Sequence, residues 1–383
     1  MGHQTIFIEA QRLFRKRKHG MDVVALELLE RLQAATADYS IKVLVKKDED
    51  ICLKASANFV VEVLAPAFYP LWEQWILPKH ISKDPQSLLH CTGNTAPLWG
   101  KNPLVVTIHD LIFLEDNYLL KKDGGSLYQR FGNFYRRLVV PRVARRAKHI
   151  VTVSQFQKQV ILKRLRVPPE KVSVVYNGAD ERFFIRACPT VIQTTCKKYG
   201  IEAVDYLFFL GNTEPRKNTN LVLKSFGIFC EKNPQFKHQL VIKGLSAGQL
   251  QKKIAECGVA AVADRIKLVG YIDYEDLPIL YQGAAVLWFP SLSEGFGLPI
   301  VEAMAGGTPV ITSNVSVMPE IAGDAALYIN PRHPHELASQ TKVLLSDAAL
   351  RDRLVEKGRV RADAFTWKNS VVQLQGVYEK LLR

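Results

Sequence analysis

The sequence predicts two consecutive α/β domains, each a parallel sheet wound on both faces by helices, and three observations carry that prediction. The chain has 383 residues, 48% of them hydrophobic and 23% charged, which is room for two or three globular cores and an ordinary soluble composition. Short runs of β-branched and aromatic residues alternate with helical patterns along the whole length, as parallel sheets covered by helices require. The most apolar runs, 206–210 and 284–289, fall far short of the ~20 residues that cross a bilayer as a helix.

The first strand series is expected at residues 5–9, 41–45, 105–108, 150–153 and 172–175. A turn signal at Tyr176, Asn177 and Gly178 opens a less regular stretch through Cys188 and Pro189, so a first domain is placed at 1–183 and a second at 184–383. The second series is expected at 206–210, 239–242, 266–268, 285–289, 309–312 and 326–329. A last helical pattern, Trp367 to Leu382, is a candidate to pack back on the first domain. Ligands are expected in a cleft at the carboxyl ends of the strands.

At the N-terminus the apolar residues precede the basic cluster Arg12, Arg15, Lys16, Arg17, Lys18, the reverse of a secretory signal, so the whole chain is expected in the mature protein. Ile6 stands where myristoylation after Gly2 needs Ser or Thr. The six cysteines are scattered without a CxxC pair, which reads as reduced thiols in a cytoplasmic protein. Asp48, Glu49 and Asp50 read as a solvated charge run, and with no Cys/His cluster, HExxH or GxxxxGK[ST] loop the sequence asks for no metal.

Net charge is +14, of which residues 1–180 carry +10. Such a field favours phosphate-bearing molecules, nucleic acid or an anionic membrane. The aromatics form no stacking platform for nucleic acid. Residues 127–147 outline a basic amphipathic helix in which Leu127, Phe131, Tyr135, Leu138 and Val139 recur at helical spacing and Arg130, Arg136 and Arg137 lie mostly off that stripe. It reads as a surface helix packing its aromatics on its own domain or as a face for anionic lipid. Pro141 and the lack of a tryptophan favour the former.

Chemistry concentrates in residues 284–313, AAVLWFPSLSEGFGLPIVEAMAGGTPVITS. A buried strand ends near Phe289, a loop holds Glu294, Gly295 and Gly297, and Pro299 sits in the first turn of a helix carrying Glu302. Glycines let backbone approach a ligand and a helix start favours phosphate. The carboxylates beside such a site suit hydroxyl groups, those of a ribose for Glu302, expected in the first helical turn, and of a sugar ring for Glu294. In residues 206–226, Gly211 and Asn212 open a loop in which Arg216 and Lys217 precede a helix capped by Asn218 or Thr219, a cation pair suited to a diphosphate. In residues 105–115 a strand delivers His109 and Asp110 to its carboxyl end.

Glu294 and Glu302, with seven residues between them and EGFGLPIVEAMAGGTPVI around them, resemble the E-x7-E signature of the family 4 retaining glycosyltransferases, of the GT-B class, in which two Rossmann-like domains face across a cleft. The resemblance spans roughly residues 90 to 340. It implies that Arg216 and Lys217 hold the nucleotide diphosphate, that the loop Gly295, Phe296, Gly297, Leu298 lines the donor, that Gly270, Tyr271 and Ile272 face the base, and that His109 lies near the donor sugar. Gly20 resembles, more weakly, the glycine of the first strand–helix loop, where Arg17, Lys18 and His19 suit a phosphorylated acceptor instead. The implied activity is a metal-independent retaining hexosyltransfer (EC 2.4.1 type) from a nucleotide-sugar to a glycan or lipid-linked saccharide in polysaccharide or lipopolysaccharide assembly, at the cytoplasmic face of a membrane. The motif block most resembles bacterial mannosyltransferases, so GDP-mannose is the expected donor. The alternatives are UDP-glucose or another UDP-sugar, a sugar-nucleotide epimerase or phosphorylase on the same architecture, and a non-enzymatic basic binding module.

Overall fold

The computed structural model describes residues 4–16, 18, 20–35, 39–65, 67–115, 127–202 and 205–382, without the side chains of 127–129. Arg17, His19 and the Leu127 side chain lie outside them. The chain divides into two compact units, residues 1–177 with 367–383, and residues 178–366.

The first unit is built on seven strands, β1 (Gln4–Glu9), β2 (Tyr39–Lys46), β3 (Phe59–Leu64), β4 (Leu88–Cys91), β5 (Leu104–Ile108), β6 (His149–Thr152) and β7 (Val172–Val174). Their order is β3-β2-β1-β4-β5-β6-β7, and every pairing is parallel. Ile6 stands level with Ile41 on one side and Leu88 on the other, so the order reverses at β1/β4, where such sheets bind ligands. Sequence reading missed β3 and β4. β4 is only four residues long and contains His90, while β3, at the edge of the sheet, leaves Val60 and Val63 exposed.

The helix Trp367–Leu382 belongs to this unit. Its Val371, Leu374, Val377 and Tyr378 join the core made by Ile6, Ile8, Leu29 and Val43. The Tyr378 hydroxyl meets His90 Nδ1 at 2.6 Å, and Thr107 Oγ1 meets Nε2 at 2.8 Å. Burial, and less so the nearby His109, lowers His90 to about 3. His90 is therefore a neutral, satisfied core residue.

The helix Leu127–Arg146 continues through Pro141. Its expected single stripe divides. Val139 is buried and Tyr135 half-buried, whereas Phe131 and Leu138 face outward with Phe134.

The second unit carries β8 (Tyr206–Leu210), β9 (Leu240–Lys243), β10 (Ile266–Val269), β11 (Ala284–Phe289), β12 (Val310–Ser313) and β13 (Ala326–Ile329), in the order β10-β9-β8-β11-β12-β13. All are parallel. YLFFL and AAVLWF are covered on both faces, which is why they read as continuous apolar runs. Here the order reverses at β8/β11. The loops leaving β8 and β9 touch: Gly211 N donates to Lys243 O at 2.9 Å, and a Cβ on Gly244, whose φ is +98°, would sit 2.2 Å from Gly211 O. Gly244→Ala is expected to destabilise the protein by at least about 2 kcal/mol, through left-handed strain and this clash, and to lower the thermal midpoint measured by circular dichroism. An unchanged midpoint would refute the constraint.

Candidate functional site

The reversal at β8/β11 sets the loop after β8 beside the loop after β11. A short 3-10 turn, Pro215–Lys217, ends at Asn218 in left-handed conformation with φ 61°. Asn218 occupies the N-cap position of the helix Thr219–Lys232, but its side chain does not cap it. It donates instead to Pro290 O at 3.1 Å and Pro331 O at 2.6 Å, and Leu292 N donates to Arg216 O at 2.7 Å. The cation loop is thus stitched to the carboxylate loop.

Glu294, only 8% exposed, lies between the two cations. Arg216 Nη1 reaches its Oε2 at 2.5 Å, Lys217 Nζ its Oε1 at 2.7 Å, and Ser291 Oγ donates to Oε1 at 2.8 Å. Burial alone would raise this carboxyl, but Lys217 and Arg216 outweigh it and hold the group below its ordinary range. Arg216 Nε also pairs with Glu214 at 2.6 Å, and Lys217 Nζ lies 5.1 Å from the centre of the Phe289 ring. Two cations balanced by two carboxylates form a neutral cluster. Any anion arriving at these donors must compete with carboxylate for them.

Beyond the loop, Gly297 takes φ +102° at the start of the helix Leu298–Gly306. Phe296 is buried, edge-on to Phe365 at 5.6 Å, while Gly295 completes the turn. Glu302 lies in the second turn of this helix and not in its first, which contains no acidic residue; the helix starts at Leu298, so the carboxylate stands a turn below the dipole end. Tyr281 Oη donates to Glu302 Oε2 at 2.8 Å. Burial lowers Lys243, and the Glu302 charge works against that shift. Asn212 accepts from Glu214 N at 2.7 Å and, through its carbonyl, from Thr219 Oγ1 at 2.8 Å. Past β10, Gly270 has open space where a Cβ would stand, Tyr271 is 72% exposed and Ile272 is buried. Sequence reading missed Ser291, Ser313, Ser316, Tyr281 and Lys243. Ser313 Oγ donates to Ser291 O at 2.6 Å and Ser316 Oγ accepts from Glu294 N at 3.2 Å, and their only signal was their place at strand ends.

In the first unit His109 follows β5, with its N–H on Asn94 Oδ1 at 2.7 Å and Nε2 2.9 Å from Thr92 O. The carbonyl requires Nε2 to carry the proton, leaving Nδ1 as acceptor, and burial lowers the ring's pKa. Gly20 begins the helix Gly20–Ala34, and a Cβ there would meet nothing within 4 Å, so no packing contact demands glycine. Asp22, buried in that helix's first turn, pairs with Arg12 at 3.1 Å, and Lys18 is bound by Asp50. Of the cations expected to greet a phosphate, Lys18 is thus already matched by an acid, and Arg17 and His19 lie outside the described residues. At the β1/β4 reversal a pocket is lined by Glu9, Arg12, Asp22, Tyr69 and Thr92. Behind Tyr69 is Glu73, 2% exposed, which accepts from Tyr135 Oη at 2.6 Å and Tyr69 Oη at 3.2 Å. Burial raises Glu73 to about 7 and raises Glu9. Among the described residues no group of three or more His, Cys, Asp or Glu side chains is arranged to hold a metal ion, and no helix is long and apolar enough to cross a membrane.

The reversal point of this parallel sheet thus gathers an Arg–Lys pair, a glycine loop and two carboxylates. Residues 192–361 match the family described as glycosyl transferases group 1, and residues 18–183 match glycosyltransferase family 4. The chain belongs to the family 4 glycosyltransferases, of the GT-B class. It is similar to O-antigen chain mannosyltransferase B of Escherichia coli (31% identical over 237 residues, 61% of this chain and 61% of that protein). It is also similar to O-antigen chain mannosyltransferase RfbU of Salmonella typhimurium (29% over 273 residues, 70% and 68%). The matched stretch therefore spans about three-fifths to two-thirds of these relatives' lengths. Among solved structures, Anabaena Alr3699/HepE in complex with UDP-glucose superposes with a TM-score of 0.74 at 17% identity, over 99% of this chain and 100% of that one.

Glu294→Gln is expected to release both cations, tightening nucleoside diphosphate binding about tenfold, by analogy with other charge-assisted contacts, while lowering turnover; calorimetric titration checks the first. Equal affinity would show that the carboxylate does not compete. The raised Glu73 makes the folded state hold that proton more tightly than the unfolded chain. Stability therefore falls as pH rises from the ordinary value of 4.5 to about 7 and levels off above it. Glu73→Gln should abolish that fall, leaving the variant up to about 3 kcal/mol more stable than the parent at alkaline pH and equal to it in acid. Urea melts across that range check it.

Proposed function

We propose that the protein is a retaining hexosyltransferase that moves mannose from GDP-mannose to a glycan or lipid-linked saccharide in polysaccharide or lipopolysaccharide assembly, at the cytoplasmic face of a membrane. The observation that carries the reading is the buried Glu294 held between Arg216 and Lys217 at the β8/β11 reversal. Those cations take the donor diphosphate and offset the charge that grows on the departing nucleotide. Glu302, fixed by Tyr281, receives the ribose hydroxyls, and Glu294, once phosphate takes over the cations, is left to accept from the sugar hydroxyls. The 294–298 loop brings backbone to the donor, with Gly211 and Asn212 beside it and the 270–272 loop toward the base. Neutral His109 offers Nδ1 as acceptor to a sugar hydroxyl. Transfer passes through an oxocarbenium-like state, the acceptor entering on the side the nucleotide leaves.

The mannose preference is supported by the two similar mannosyltransferases. A UDP-glucose reading is favoured by the ligand of the similar Anabaena structure.

Titration against GDP-mannose, UDP-glucose, UDP-N-acetylglucosamine and dTDP-rhamnose, with and without EDTA, tests the proposal. One donor should bind, keep its affinity in EDTA and lose it in Glu302→Ala. Binding by none, or release of free epimer or sugar phosphate, would refute it. Lys217→Ala should lower kcat/KM by ~2 to 4 kcal/mol, on the order of 30- to 1000-fold, as loss of a charged donor to the leaving group does. Unchanged turnover would remove Lys217 from the mechanism.

A further inference from the structure

We infer that the first unit carries a preformed aromatic platform that seats on an anionic lipid bilayer. The inference adds an anchor to the reading of a lipid-linked acceptor and rests on a surface separate from the residues assigned to the donor. Three segments distant in sequence build it. Phe68, Leu71 and Trp75 are 57%, 51% and 62% exposed along residues 68–76. Trp99 is 43% exposed in the loop after β4, and Phe131, Phe134 and Leu138 are 45%, 55% and 44% exposed on the helix Leu127–Arg146.

The rings meet across segments: Phe68 and Phe131 have centroids 5.6 Å apart, as do Trp75 and Trp99. Gln74 ties the three together. Its Nε2 donates to Tyr135 Oη at 2.9 Å and Ala96 O at 3.1 Å, and its Oε1 accepts from Leu98 N at 2.9 Å. Trp72 and Glu73 on the inner side of the first segment are buried, so the outward residues cannot turn in without breaking the core. A contiguous exposed aromatic surface of this kind is uncommon on a soluble protein and marks an interaction site.

The charges select the occupant. Along residues 67–81, 96–101 and 130–146 the only acidic residue is the buried Glu73, whereas Lys79, Lys101, Arg130, Arg142 and Arg145 are exposed. Lys79 follows Trp75, and Arg142 follows Leu138, at one helical turn. Tryptophan and phenylalanine at headgroup depth, rimmed by cations over negative lipid, is the composition of an interfacial anchor. The tryptophan that the helix lacks in sequence is supplied by two other segments in space.

The test needs neither donor nor acceptor, so it can fail while donor binding succeeds. Of the five tryptophans, Trp72, Trp288 and Trp367 are buried and only Trp75 and Trp99 are exposed, so their fluorescence reports on the platform. The full chain is floated with phosphatidylcholine vesicles with and without phosphatidylglycerol, and with brominated lipid as quencher. Binding to the anionic vesicles with quenched emission is expected, falling at least about tenfold in Trp75→Glu/Trp99→Glu and retained without the quenching signal in Trp75→Phe/Trp99→Phe. Circular dichroism melts confirm that the variants fold. Absence of binding by the parent, or equal binding by the glutamate variant, would overturn the inference. So would a parent dimer in free solution that the glutamate variant dissociates, because the face would then belong to a second copy.

Discussion

A single desolvated carboxylate constrains the second unit. Removing Glu294 from water carries a penalty of several kcal/mol, which only well-placed counter-charges and hydrogen bonds offset. Arg216, Lys217 and Ser291 supply them, and they do so because β8 and β11 are neighbours in the sheet although β9 and β10 lie between them in sequence. The Asn218 side chain and the Leu292 amide then fix the two loops to each other. Take away the strand order and both cations and the carboxylate would be separately solvated surface groups.

Legibility followed the strength of the local signal. All six strands of the second sheet were readable because each is a mainly apolar run bounded by polar turns. β3 was not, since an edge strand such as FVVEVL leaves residues exposed, nor was β4, where a core histidine interrupts four residues. At the site, Arg216, Lys217, Glu294 and Glu302 stood out because charges at strand ends are chemically conspicuous and carry a family signature. Ser291, Ser313 and Ser316 did not, because hydroxyls occur everywhere and their role exists only once three loops converge. The position of Glu302 a turn deeper than expected reflects how poorly sequence fixes a helix start when Gly297 and Pro299 both favour one.

The two sheets reverse order at equivalent places, yet their crevices differ in chemistry. The second offers cations masked by carboxylate. The first offers Glu9, Asp22 and Tyr69 around a pocket, with Arg12 already paired, a lining better matched to neutral hydroxyls than to phosphate. One architecture thus presents crevices of different charge in its two units through the identity of a few side chains.

The helix Trp367–Leu382 carries a consequence for how the protein is made. It follows the whole second unit in the chain, yet it covers the core of the first sheet and partners His90 through Tyr378. Residues 178–366 lie between, with Ala179 and Thr366 bridged at their two ends. During synthesis the later-made unit can close on itself while the earlier-made one still lacks a wall, so the first unit completes its core only after residues 178–366 have been made.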